Sequence, residues 1–286
     1  MKCNRRQSRT RNSAKVAWFM AKSHNQQLKL FIAILVTISG SCWQQKLVHP
    51  QTIPSYVLPD DTYSQDIYRQ AQSTTVRIVR PNTSGSGVII RQQGNIYTVL
   101  TNWHVVATND ILNILTVDGQ AHVLLQEPQQ LHDLDLAIVQ FQSLDRYPIA
   151  TTTKNTPQPG EKVYAAGFPL YDGDRTSNTI ALGIQAFRLT QGEVSLIPFK
   201  SLSQGYSLGY TNDIEAGMSG GPIFNTQGLL IGINGRQKYA EPDFGAYIFE
   251  DGSEPPPEIL EKMVNSSWGI PITSYLQFAP QASQTE

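Results

Sequence analysis

Cysteine is almost absent from this chain. Only Cys3 and Cys42 occur among 286 residues, both upstream of the first acidic residue. Everything after Cys42 must therefore hold together without a disulfide, and neither a CxxC pair nor a Cys/His zinc spacing occurs. Acid is missing from the first 59 residues, and Asp60 is the first carboxylate. No unit of twenty to fifty residues repeats, and strand-like segments do not alternate with helical ones, which argues against a solenoid and against a parallel α/β sheet. What is present is ordinary for a globular protein: 40% hydrophobic residues, 16% charged, 21 Gly and 17 Pro.

The net charge of −1 conceals an asymmetry. Eight of the 22 basic residues (Lys2, Arg5, Arg6, Arg9, Arg11, Lys15, Lys22 and Lys29) lie within residues 1–42, so the remainder carries 14 basic against 23 acidic residues, a net of −9. So acidic a body argues against binding a nucleic-acid backbone. Within the basic segment, Lys22 and Lys29 precede an apolar run at residues 30–38 (LFIAILVTI), then Ser39, Gly40, Ser41 and Cys42. The run is short for a membrane span. Basic flank, apolar stretch and small residues are the three parts of an export signal. Residues 1–42 are therefore read as a signal peptide or N-terminal anchor, with Met20 as an alternative start. The Ser41-Cys42 pair leaves membrane anchoring through an acylated cysteine open. The expected location is periplasmic, extracellular or membrane-anchored facing outward.

Residues 43–70 read as a linker, with Pro50, Pro54 and Pro59 and a short helix at 66–71. Strand-like runs then follow at hairpin spacing: 75–79, 87–91, 96–101, 111–117, 121–125 and 134–141. A Thr/Pro/Gln-rich connector at 151–160 leads to a second set at 162–166, 180–189, 192–197, 206–211, 222–225, 229–234 and 244–249. The fold expected is all-β, with two small antiparallel barrels or sandwiches at about 71–145 and 160–250. Residues 251–286 read as a Pro-rich linker (Pro255 to Pro257), a short helix at 257–265 and a tail whose residues 270–278 pack back.

Three segments carry chemistry. Gly217-Met218-Ser219-Gly220-Gly221-Pro222 offers a serine in a glycine-rich turn. A serine hydroxyl is a poor nucleophile without a base, and its reaction needs backbone N–H groups facing the developing oxyanion. A glycine two residues before the serine permits a turn that exposes those amides. His104 follows a β run at Val99-Leu100-Thr101-Asn102-Trp103, itself preceded by Gly85-Ser86-Gly87. Asp133 and Asp135 lead directly into the apolar run from Leu136, an odd place for a carboxylate without a partner. The chain order is His, Asp, Ser, one of the orders in which a triad occurs.

These motifs together resemble the trypsin/chymotrypsin-like serine proteases, and in particular their disulfide-free bacterial branch, which includes the protease domain of HtrA/Deg proteins and the V8-like glutamyl endopeptidases. The resemblance covers about residues 70–250 and implies two six-stranded antiparallel β-barrels with the site between them. It makes Ser219 the nucleophile, His104 the general base and Asp135 the residue orienting the imidazole. Asp135 is preferred to Asp133 because the family's Asp directly precedes an aliphatic-Ala pair, here Leu136-Ala137. The amides of Gly217 and Ser219 would form the oxyanion hole. No metal and no cofactor are implied, and the substrates are polypeptides. Asp213, six residues before Ser219, would sit in the specificity pocket and favour basic side chains, with Asn234, Gly235 and Arg236 along its wall; Arg236 could instead attract an acid. Met218 stands where the family usually has Asp or Asn, so the local loop must be held by something else. HtrA proteins carry a PDZ domain of about 90 residues after the protease domain; only 67 residues follow Ser219, so that module is not expected. The function implied is that of an exported serine endopeptidase acting through an acyl-enzyme. The alternatives are a silent relative that binds extended peptides by strand addition, and an esterase-type acyl hydrolase.

Overall fold

The computed structural model describes residues 62–173, 177–239 and 246–278. They belong to the second of two compact units, Val57–Glu286. The proposed signal segment and most of the linker lie outside the described residues.

The first run of Val, Ile and Thr residues forms one antiparallel sheet. Its strands are β1 (Thr75–Arg80), β2 (Thr83–Gln93), β3 (Ile96–Thr101), β4 (Asn113–Leu115), β5 (Ala121–Val123), β6 (Gln129–Gln130) and β7 (Ala137–Gln142). They lie in the order β5-β4-β1-β2-β3-β7-β6. Val76, Ile78, Ile89, Tyr97, Val99, Ile114, Val139 and Phe141 fill its core. A one-turn helix, α2 (Trp103–Val106), follows β3 directly. The second set curls into a closed barrel with β8 (Lys162–Gly167), β9 (Arg188–Leu196), β10 (Leu208–Tyr210), β11 (Pro222–Asn225), β12 (Leu230–Arg236) and β13 (Ser267–Pro271), in the order β10-β13-β12-β11-β8-β9. The mostly-β architecture of two antiparallel halves is as expected from the sequence and is consistent with a double barrel, with the second half fully closed.

Its details differ from the expectation in ways with physical causes. The first half is a seven-stranded sheet rather than a closed six-stranded barrel, and β6 is a pair of exposed glutamines that carries no apolar signal. Residues 180–186 form a 3-10 segment, and the strand begins only at Arg188; Gly183, at φ 56°, breaks the extended conformation. Among the described residues, 246–249 form turns, with a single bridge between Leu202 and Phe249. The barrel is closed instead by β13, which pairs with both β10 and β12 and lies beyond residue 250. The C-terminal region holds two helices, α3 (Pro257–Val264) and α4 (Ile272–Phe278), on either side of that strand. The N-terminal helix α1 runs over Thr62–Thr74, and its Ile67 and Ala71 are buried with Phe168, Phe187 and Phe224 of the barrel half.

Arg77 links the two halves. It is fully buried in β1, and its guanidinium donates to Thr179 O (2.8 Å), Gly183 O (2.9 Å), Thr179 Oγ1 (2.8 Å) and Ser84 Oγ (3.0 Å). Burial lowers its pKa to about 10, so it stays charged at neutral pH. Carbonyl and hydroxyl oxygens offset the cost of desolvating the cation, and the loop after β8 is thereby fixed against the first sheet.

Candidate active site

His104 is placed by the single turn of α2, and Asp135 by the loop just before β7. Asn102 donates through Nδ2 to Asp135 O at 2.8 Å, tying the start of α2 to that loop. The Asp135 carboxylate then receives three hydrogen bonds. His104 N–H donates to Oδ1 at 2.9 Å, His104 Nδ1 lies 2.6 Å from Oδ2, and the Tyr206 hydroxyl donates to Oδ2. Burial pushes the Asp135 pKa up, but the His104 hydrogen bond and charge, with the Tyr206 hydroxyl, outweigh it. The carboxyl therefore sits below its ordinary value and is ionised. Asp133 is exposed, so of the two candidate carboxylates only Asp135 meets His104. His132 lies on the surface with its ring against Phe278, and His122 belongs to a separate group with Tyr147 and Thr116.

Ser219 sits at the end of the turn that precedes β11. Gly217 holds φ +94° and Gly220 +85°, conformations that suit glycine, and a Cβ on Gly217 would fall 2.6 Å from Leu170 N. The amides of this turn divide into two groups. Met218 N–H donates to Glu215 O, Gly220 N–H to Asn234 O and Gly221 N–H to Met218 O. Among the described residues, the N–H groups of Gly217 and Ser219 have no acceptor. These two unspent amides flank Met218, and one of them is the serine's own; such donors are what a developing oxyanion requires. The Ser219 hydroxyl itself donates to Gly235 O at 3.1 Å rather than to His104.

His104, Ser219 and Gly217 line one cavity of about 260 Å³, together with Gly85 and Arg80 from the first sheet and Leu170, Ala216 and Gln237 from the barrel half. Met218 points the other way. It is fully buried with Val163, Ala165, Tyr210 and Ile223, so an apolar anchor stands where the family usually has Asp or Asn. The second fastening is Ser86, which sequence reasoning passed over. Its hydroxyl donates to Gly217 O (2.8 Å) and accepts Phe168 N–H (2.9 Å), while its own N–H donates to Ser219 O (2.8 Å). The Gly85-Ser86-Gly87 pattern marked the segment, though not the distant partners of its hydroxyl.

Of the residues expected to set specificity, Asp213, Asn234 and Arg236 do not line this cavity. Asp213 is on the surface, its side chain 86% exposed and paired with Lys238 at 2.8 Å. Asn234 is fully buried, donating to Ala166 O and accepting from Tyr210, so it supports the turn rather than lining the cavity. Gly235 contributes its carbonyl to Ser219. Arg236 spends its guanidinium on Ala246 O (2.9 Å) and Ser203 O (3.1 Å), and it lies 4.1 Å above the Tyr206 ring. Gln237, the next residue, is the one that reaches the cavity. A second hollow of about 160 Å³ beside it is lined by Tyr171, Glu215, Ala216 and Gln237, and Glu215 there is paired with Arg188. No group of three or more potential metal ligands occurs among the described residues.

A double-β architecture with a His–Asp pair facing a serine across a cleft defines the trypsin-like class of hydrolase folds. The comparisons agree. A family model described as the trypsin-like peptidase domain matches residues 85–233. The serine endoprotease DegS of Salmonella typhimurium is 30% identical over 218 residues, 71% of this chain and 56% of that protein. The Do-like serine protease HtrA of Bacillus subtilis is 31% identical over 192 residues, 64% of this chain and 39% of that one. A crystal structure of the serine endoprotease from Yersinia pestis superimposes with a TM-score of 0.54 at 23% identity, covering 77% of this chain and 65% of that chain. The chain belongs to the trypsin-like peptidase family, and its relatives include DegS and HtrA serine proteases. It spans roughly a third to a little over half the length of these curated relatives. No helix among the described residues is long and apolar enough to cross a membrane.

Proposed function

We propose that this protein is an exported serine endopeptidase that hydrolyses peptide bonds through an acyl-enzyme intermediate. The observation that carries the reading is the alignment of an Asp135-oriented His104 with Ser219 and two unspent amides around one cavity. On substrate entry the Ser219 hydroxyl turns from Gly235 O toward the free nitrogen of His104, which takes its proton as Oγ attacks the carbonyl carbon. The Gly217 and Ser219 amides receive the oxyanion, and Asp135, already ionised, stabilises the imidazolium. His104 then gives its proton to the leaving amine, and a water molecule repeats the sequence to release the acid. No metal or cofactor enters any step. Residues 1–42 supply the export signal or anchor in this reading.

Incubation with casein tests it, with Ser219→Ala as the control. Wild type is expected to yield discrete fragments, and the variant to slow cleavage by roughly 10⁴-fold or more, to background. A folded wild type that leaves casein intact but turns over small acyl esters would favour the esterase alternative. A C-terminal alkaline phosphatase fusion tests export: it is expected to be active in cells and to lose activity when residues 1–42 are deleted.

A further inference from the structure

Asp135 is held from two sides, and the second side was invisible in the sequence. The 3-10 turn Ser203–Gly205, just before β10, places Gln204 at φ 68° and ψ 21°, a left-handed conformation uncommon outside glycine. That turn presents Gln204 O, which accepts Asp135 N–H at 3.0 Å. Two residues on, Tyr206 donates its hydroxyl to Asp135 Oδ2, the oxygen that also faces His104 Nδ1. One short segment of the barrel half thus grips both the backbone and the carboxylate of a residue carried by the first sheet. Tyr206 is itself fixed: 1% exposed, with Leu202 N–H donating to its carbonyl at 2.8 Å and the Arg236 guanidinium stacked on its ring. Gly235 makes room for it, since a Cβ there would fall 2.6 Å from Tyr206 Cζ and closer still to the hydroxyl. Burial, with the neighbouring Asp135 charge, pushes the Tyr206 hydroxyl well above the usual phenol range and keeps it a donor.

We infer that Tyr206 is a positioning residue for the catalytic pair: its hydroxyl completes the coordination of the Asp135 carboxylate and fixes the direction in which Asp135 meets His104. The inference rests on the His104–Asp135–Ser219 reading above. A carboxylate held by three donors keeps one rotamer, and sharing Oδ2 with a phenol tempers the charge that reaches the imidazole.

Tyr206→Phe keeps the ring that fills the space against Gly235 and removes only the hydroxyl. The expected result is a fall in kcat of roughly tenfold with KM unchanged, and a shift of roughly half a unit toward higher pH in the acid limb of the kcat/KM profile, because the untempered carboxylate holds the imidazolium more strongly. The melting temperature by circular dichroism reports that the variant is folded. Tyr206→Ala should be slower still. Adding Gly235→Ser to it should restore part of kcat, because a side chain at 235 points to the place the phenol hydroxyl occupied. A second readout needs no activity: in the Ser219→Ala protein, the downfield proton resonance of His104 Nδ1–H should move when Tyr206→Phe is added. If wild type proves inactive, that resonance still decides the point. A folded Tyr206→Phe protein with unaltered kcat, pH profile and His104 resonance overturns the inference, as does a rise in KM alone, which would make Tyr206 merely part of the cleft wall.

Discussion

At the scale of single residues, the turn around Ser219 is set by what lies beneath it. Met218 has no exposed surface and takes its place in the apolar cluster under β8 and β11. Met218→Ala would leave a void there and should cost about 2–4 kcal/mol, read as a drop in the urea midpoint with little change in slope. Ser86 acts on the same turn from the other half of the molecule. Removing its hydroxyl in Ser86→Ala frees Gly217 O and leaves Phe168 N–H unsatisfied, with an expected loss of about 1–3 kcal/mol. It should also slow acylation more than it weakens binding, measured as a fall in kcat. The departure at Met218 could be seen in the sequence, because a residue type out of place is a local signal. The compensation by Ser86 could not, because it depends on which oxygen a distant hydroxyl meets. Asp213 and Arg236 teach the same lesson from the other direction. Each carries a charge at a suggestive spacing, yet Lys238 neutralises one on the surface, and the carbonyls of Ser203 and Ala246 absorb the other.

At the scale of elements, short runs rich in Val, Ile, Leu and Thr at hairpin spacing marked most of the strands, and β3 and β11 fell where those runs put them. The elements missed were those whose partners, rather than their residues, make them strands. Gln129–Gln130 is extended because it pairs with Ile138 and Ala137 of β7. Ser267–Pro271, with glycine and proline in five residues, reads as a weak strand and yet closes the barrel by pairing on both edges. Its Trp268 is 1% exposed, and the indole N–H donates to Met263 O at 3.1 Å. A chain ending at Asn265 therefore lacks a barrel stave and should show no cooperative unfolding transition. Full cooperativity in that truncation would mean that β13 is dispensable.

At the scale of the molecule, the site exists only where the two halves meet. His104, Asp135 and Ser86 come from the first, and Ser219, Gly217 and Tyr206 from the second, so stability and activity share a pH dependence. The Asp135 pKa in the folded protein lies below the ordinary value of about 3.9. Ionisation of this group therefore favours folding, fully above about pH 4–5, and the benefit is lost as pH falls through the folded value. The stability of wild type should drop on acidification below about pH 5, and Asp135→Asn should flatten that part of the curve, measured as the urea midpoint against pH. The central claim, that Ser219 is an activated nucleophile, is tested most directly by labelling the folded protein with a fluorophosphonate and locating the adduct by mass spectrometry. The predicted result is a single modification on Ser219, absent in Ser219→Ala and greatly slowed in a His104→Ala variant. A folded wild type that stays unlabelled, or a label that persists in Ser219→Ala, would contradict it.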